Sequence, residues 1–247
     1  MTNQLQFNVS FPKFNFDQQF SFQSGLHVIY GESGCGKSAL INQIIGLKTG
    51  HENFLLTNIN CPEEIQKIFQ NPDTQIVSST VGGELAFSLE CRSKDQELIS
   101  SKLIQLKKTL FFECADHRHP ATLSGGEKEM LNIITVFSVD PQLVLIDDGL
   151  SFLSTKNKMM TVNWLKGWSE KTRSIIVWAT SEREDLEFGD SKWMLDLDSF
   201  KRVEKTNPDH YNPIQIPEGF LSLEWTDVSF KYDNSRDIYS NLTLSVN

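Results

Sequence analysis

From Leu5 to Phe22 apolar and polar residues alternate in short runs, the period of half-buried strands, which predicts antiparallel strands at the start of the chain. Leu26 to Tyr30 is continuously apolar and reads as a buried strand, and from Ala39 to Leu47 the spacing turns helical. Asn58 to Gln70 carries a further apolar run into Ile68-Phe69-Gln70-Asn71-Pro72. A helix-rich insert is expected next, where Ile99, Leu103, Leu106 and Leu110 recur at helical spacing behind a candidate capping box of Ser93 with Gln96. Leu123 to Glu127 opens another helix with Met130, Ile133, Ile134 and Phe137 on its apolar side, broken at Asp140-Pro141. Strands are predicted at Gln142 to Ile146, which ends on Asp147 and Asp148, at Ser174 to Trp178 and at Trp193 to Leu197. Strands alternating with helices predict an α/β fold with a mostly parallel sheet behind an N-terminal antiparallel β-subdomain.

The pattern changes after this core. Residues 203–219, with Pro208, Pro213 and Pro217, read as a linker between a first domain, 1–202, and a segment, 220–247, that repeats the beginning. There Glu224-Trp225-Thr226-Asp227-Val228-Ser229-Phe230-Lys231-Tyr232 echoes Gln6-Phe7-Asn8-Val9-Ser10-Phe11-Pro12-Lys13-Phe14 with one residue inserted. The echo reads as the start of a second, truncated copy of the first domain; a coincidental hairpin or a small regulatory tail is the other reading.

Composition narrows the chemistry. The 247 residues carry a formal net charge of −9, which argues against extended contact with nucleic acid. No apolar stretch approaches a membrane span and the N-terminus lacks signal-peptide character, so a cytoplasmic location is expected. Cys35, Cys61, Cys91 and Cys114 show no metal-ligand spacing. Cys35 alone has a functional angle, since Lys37 and nearby N–H groups would favour its thiolate.

The run Gly31-Glu32-Ser33-Gly34-Cys35-Gly36-Lys37-Ser38, between a strand and a helix, has the form of a phosphate-binding loop. Its glycines permit the turns that aim successive N–H groups inward, and the helix adds the positive end of its dipole. Candidate nucleotide-binding residues are Gly31, Ser33, Gly34, Cys35, Gly36, Lys37, Ser38 and Ala39. Lys37 is expected to reach the β and γ phosphates and the Ser38 hydroxyl to ligate magnesium.

The loop at Gly31 to Ser38, the glutamine at Gln70, the motif Leu123 to Glu127 and the acid-ending strand at Asp147 stand in an order that resembles the ATP-binding cassette (ABC) ATPases. Phe69-Gln70-Asn71-Pro72-Asp73-x-Gln75, with Thr80-Val81 and Ala86-Phe87, looks most like the ATPases of energy-coupling factor (ECF) and cobalt-type importers. The resemblance implies a P-loop core with a helical signature subdomain, ATP and Mg²⁺ as cofactors, and a head-to-tail dimer with a second cassette, fused or separate. In that dimer Ser124, Gly125 and Gly126 would donate to the γ-phosphate on the partner. Asp147, Ser38 and Gln70 would hold magnesium, Gln70 and its surroundings would contact membrane subunits, and Phe14 would stack on adenine. The chain would sit on the inner face of the cell membrane and power import of a small solute, a vitamin or a transition-metal ion.

Three positions depart from the family's pattern. The glutamate that follows the magnesium aspartate is Asp148 here, the switch histidine aligns with Thr180, and the aspartate of the next loop is Ser154; Gly149 also replaces a proline. Asp148, Gln70 and Thr180 are thus the candidate catalytic set, and weak ATP hydrolysis is expected of the isolated chain. A regulatory cassette that binds ATP without cleaving it is the alternative. A DNA-repair ABC ATPase is disfavoured by the short insert and the acidic charge.

Overall fold

The computed structural model describes residues 4–14, 16–48, 50, 53–92, 95–204, 223–230 and 239–246. The chain divides into two units, Met1–Thr206 and Asn207–Asn247, at a point inside the expected linker.

The first unit opens with β1 (Leu5–Phe11) and β2 (Phe16–Phe22), an antiparallel pair, followed by β3 (Gly25–Tyr30) and α1 (Lys37–Ile44). The single apolar run read over Asn58 to Gln70 proves to be parts of two strands in different sheets. One, β4 (Leu55–Asn60), joins β1 to give the antiparallel order β2-β1-β4, while β5 (Ile65–Ile68) edges the main sheet. Then come α2 (Val81–Glu90), α3 (Gln96–Thr109), α4 (Gly125–Phe137), β6 (Leu143–Asp147), α5 (Thr155–Thr172), β7 (Ile175–Thr180), β8 (Ser191–Leu195) and β9 (Phe200–Val203). The main sheet runs β5-β6-β7-β3-β8-β9, parallel except for β9, which pairs antiparallel with β8. This is the mostly parallel P-loop architecture with an antiparallel subdomain that the pattern predicts. Helix α3 is capped not by the expected Ser93 box but by Asp95, whose carboxylate accepts from the Glu97 N–H at 2.8 Å. Ser93 itself lies outside the described residues.

Alternation along the central strands divides the core in two. Leu143 and Leu145 of β6, with Ile175 and Val177 of β7, pack with α1 and the Phe7, Phe11, Phe20 and Phe22 layer of the antiparallel sheet. Val144, Ile146, Ile176 and Trp178 face the opposite way, onto α4, α5 and the start of α2. Every residue of β6 and β7 is buried, as expected of parallel strands covered on both faces. The C-terminal ends of β3, β6 and β7, and the loops that leave them, therefore share one edge.

In the second unit β10 (Leu223–Phe230) pairs antiparallel with β11 (Tyr239–Val246). The register of this pair shifts twice, between Trp225 and Val228 and between Val228 and Phe230, and Asp227 has φ 55°. Like β1 and β2, the two strands are antiparallel. Their apolar residues are placed differently. Phe7, Val9 and Phe11 are fully buried, whereas Trp225, Val228 and Phe230 are 50%, 40% and 43% exposed. Among the described residues no helix is long and apolar enough to cross a membrane.

Candidate functional site

A pocket of about 250 Å³ opens at that shared edge, lined by Ser33, Gly34, Gly36, Lys37, Ser38 and Ala39 on one side. Gln70, Asp147, Asp148 and Ser181 line the other. The first side is mostly backbone. Gly34 and Gly36 sit at φ 86° and 108°, conformations that L side chains rarely adopt. Gly36 caps α1 without any side-chain hydrogen bond, so the first N–H groups of the helix have no side-chain acceptor there. The Lys37 ammonium is buried and donates to the Gly31 and Glu32 carbonyls at 2.6 and 3.0 Å. N–H groups at a helix start and a buried cation converge on one cavity, an arrangement that attracts a polyanion.

Gly31 and Cys35 do not line the pocket; they support the loop from below. A Cβ on Gly31 would lie 2.4 Å from the Cys35 sulfur and 2.7 Å from the Leu195 carbonyl oxygen. Cys35 is 3% exposed, and burial pushes its thiol up despite the Lys37 charge and the nearby backbone N–H groups. The thiolate expected from the sequence is thereby overturned, because desolvation outweighs the neighbouring cation.

The other side is built of side chains. The Ser38 hydroxyl donates to Asp147 Oδ1 at 2.8 Å, and Lys67 Nζ stands 3.2 Å from Asp147 Oδ2. Gln70 is exposed at the end of β5. Asp148 has φ 54°, and its carboxylate oxygens are 3.4 Å from the backbone N and the hydroxyl of Ser181. Gly149 follows under constraint, since a Cβ there would meet Ile68 Cγ2 at 2.6 Å. The loop has no room for a proline ring unless Ile68 shifts.

Thr180, the residue aligned with a switch histidine, is not brought to the pocket. It is 1% exposed, its hydroxyl donates to Asp185 Oδ2 at 2.7 Å, and it accepts from the Glu182 N–H at 3.0 Å. Lys158 closes this network with 2.6 Å contacts to both Asp185 and Glu182. Since β7 is buried through its last residue, the first side chain free to face the cavity is Ser181, one position later. Phe14 ends a short 3-10 turn, Pro12–Phe14, and its side chain lies outside the described residues.

Ser124, Gly125 and Gly126 lie apart from this pocket, in a second cavity of about 550 Å³ shared with Phe111, Phe152 and Ser154. A full capping box starts α4: the Glu127 N–H donates to the Ser124 hydroxyl, and the Ser124 N–H donates to Glu127 at 2.8 Å. That backbone N–H holds the Glu127 carboxyl below the usual range, with Arg118 assisting. Ser154 caps α5 by accepting from the Asn157 N–H, a role an aspartate also fills, so what it lacks is the charge. Glu129 of α4, 1% exposed, accepts from the Phe152 N–H with both oxygens, at 3.1 and 3.2 Å. Burial pushes its carboxyl up to about 7, against the N–H donors of residues 151–153 and with help from the Asp148 charge. Lys67, Glu129 and Ser181 were not among the residues expected at the site. Only Lys67 left a sequence signal, a charge inside the apolar run Ile65 to Phe69.

The comparisons with known proteins bear on the fold and the family. The energy-coupling factor transporter ATP-binding protein EcfA1 of Mycoplasma mycoides is 27% identical over 92% of this chain and 57% of its own length, so the chain spans little more than half of that relative. EcfA1 of Streptococcus sanguinis is likewise 27% identical, over 66% of this chain and 62% of its own. Among solved structures, cbiO1 from Clostridium perfringens, part of the ABC transporter complex cbiONQ, superposes with a TM-score of 0.64 at 18% identity, covering 81% of this chain and 87% of its own. An ATP-binding cassette of an ABC transporter in its ADP conformation gives 0.61 at 19% identity, covering 83% and 92%. The sequence model of the ABC transporter family matches residues 17–151, more than half of the chain, and the chain belongs to that family.

Proposed function

We propose that this chain is an ATP-binding cassette of an ECF-type importer, which binds MgATP in the 250 Å³ pocket and couples it to membrane subunits. One observation carries the reading: Gly34, Gly36, Lys37 and Ser38 of the loop and the Asp147 carboxylate converge on a single cavity. The loop N–H groups and Lys37 hold the phosphates. The Ser38 hydroxyl and, on the facing wall, Asp147 and the Gln70 amide offer oxygen donors, a set whose hardness suits magnesium. When bound, the ion would supply neutralisation of phosphate charge at this site.

The cleavage side of the same pocket is weak. Asp148 is one methylene shorter than the glutamate the family resemblance leads one to expect, and Ser181 occupies the switch position with a hydroxyl in place of an imidazole. Positioning a general base contributes roughly 100- to 10,000-fold to rate, so both changes slow hydrolysis at this site. The signature end, Ser124 to Gly126, keeps its capped helix start and would complete a site whose P-loop belongs to a second cassette. The bulged repeat hairpin, with its exposed apolar residues, supports a second cassette fused downstream. The relatives named energy-coupling factor transporter ATP-binding protein support the transporter class, and import from the inner membrane face is part of the reading proposed here.

The test is to reconstitute this chain with a second cassette. Ser124→Arg on this chain should then abolish hydrolysis, whereas Asp148→Asn should change it little, as measured by phosphate release. The reverse pattern would show that the site on this chain is the working one.

A further inference from the structure

Lys67 is a cation in a place where the sheet has no packing need for one. It lies on β5, two residues before the exposed Phe69, and neighbours Leu145 across the ladder, so its side chain reaches the Asp147 carboxylate two residues farther along β6. It is held on three sides. Lys67 Nζ is 3.2 Å from Asp147 Oδ2, donates to Asn42 Oδ1 of α1 at 2.8 Å, and stands 5.0 Å from the centre of the Phe69 ring. Only 12% of its side chain is exposed, so neither bulk water nor salt screens the pair well. With Ser38 on Oδ1, both oxygens of Asp147 already have protein partners.

We propose that Lys67 is a built-in counter-cation for the magnesium carboxylate, and that it makes nucleotide binding at this site largely independent of the divalent ion. The inference rests on the MgATP reading above. Two consequences follow from the fixed charge. An ammonium at Asp147 cancels the repulsion that this buried carboxylate exerts on a metal-free triphosphate. The same ammonium repels a dication that enters the space between Ser38 and Asp147. Like and unlike charges a few ångströms apart in a half-buried site readily change affinity by a factor of about ten in each direction. Lys67 acts through Asp147 and is a positioning residue, not a catalytic one.

The experiment compares binding of a fluorescent ATP analogue to the full chain in EDTA and in saturating magnesium. It also titrates Mn²⁺ into the nucleotide complex, following the free ion by electron paramagnetic resonance. Wild type should bind the analogue in EDTA within about threefold of its affinity in magnesium, a ratio set by the neutralised carboxylate. Lys67→Met keeps the length of the stem and removes the charge. It should weaken binding in EDTA about tenfold and lower the Mn²⁺ half-saturation about tenfold, while Lys67→Arg should retain the wild-type ratio. An unchanged EDTA-to-magnesium ratio in a folded Lys67→Met protein overturns the proposal. If Lys67→Met does not fold, the wild type decides: loss of about 100-fold or more of its affinity in EDTA overturns the proposal, and near-equal affinity supports it. Absence of analogue binding under every condition would instead refute the nucleotide reading, leaving the two failures distinguishable.

Discussion

The two walls of the pocket are made of different material. The phosphate wall is backbone: N–H groups placed by glycines at φ 86° and 108°, a helix start without a side-chain cap, and one buried lysine. The acid wall is side chains alone: Asp147, Asp148, Ser181 and Gln70 from three separate loops and strand ends. A backbone cradle is lost as a whole if a glycine is replaced, because positive φ is unavailable to other residues at comparable strain. Side chains are exchanged singly, and the sheet that presents them is undisturbed. The architecture therefore permits a cassette that holds nucleotide well and cleaves it poorly.

The largest expected effect comes from rebuilding the acid wall. Asp148→Glu with Ser181→His should raise ATP hydrolysis by the isolated chain on the order of 100-fold or more, since a longer carboxylate and an imidazole then face the γ-phosphate position. Steady-state phosphate release measures it, and no gain in a double variant that still binds ATP would mean that this wall is not what limits cleavage. Thr180→His serves as the contrast. Thr180 is buried and bound to Asp185, so an imidazole there should destabilise the fold by about 3 kcal/mol without adding activity.

The next effect breaks the phosphate wall. Lys37→Ala removes the only side-chain cation of the loop and should weaken nucleotide binding about 100-fold. The fold should survive, because the loop loses two charge-assisted hydrogen bonds, to the Gly31 and Glu32 carbonyls, about 3–6 kcal/mol before water replaces them. Equal affinity of wild type and variant in a fluorescence titration would place the polyphosphate elsewhere.

Most of the phosphate wall was legible in the sequence because its determinants are local: eight consecutive residues between a strand and a helix specify it. The acid wall was legible only where a strand ends on a pocket-lining residue, as β6 does on Asp147. At β7 the burial pattern extends two residues beyond Trp178, where periodicity had ended the strand, and the side chain facing the pocket is Ser181 instead of Thr180. The roles of Lys67 and Glu129 were missed for a different reason. Each acts through a partner distant in sequence, Asp147 for Lys67 and Phe152 for Glu129, and no local spacing encodes that pairing. The echo of residues 6–14 at residues 224–232 was read from its pattern, but the pattern says nothing of burial: the same alternation is fully covered in β1 and half exposed in β10.

The smallest effect concerns the link between the acid wall and the signature helix. Glu129 holds the Phe152 N–H while its own carboxyl titrates near 7, raised above the ordinary glutamate value of 4.5 mainly by burial. Between those two values the folded chain retains a proton that the unfolded chain has released. The unfolded state binds fewer protons, so stability falls as pH rises through this window: the contribution is fully present below 4.5 and is lost above about 7. A difference of this size corresponds to at most about 3 kcal/mol, and less where water relaxes into the loop. Glu129→Gln keeps one acceptor for the Phe152 N–H and carries no charge at any pH. The variant should match wild type at pH near 5 and melt a few degrees higher at pH near 8, about 2–4 °C for each kcal/mol in a chain of this length. Thermal melts at the two pH values read this directly. A wild-type melting temperature that does not fall relative to the variant's between them would mean that Glu129 is ionised throughout, with the N–H groups of residues 151–153 outweighing its burial.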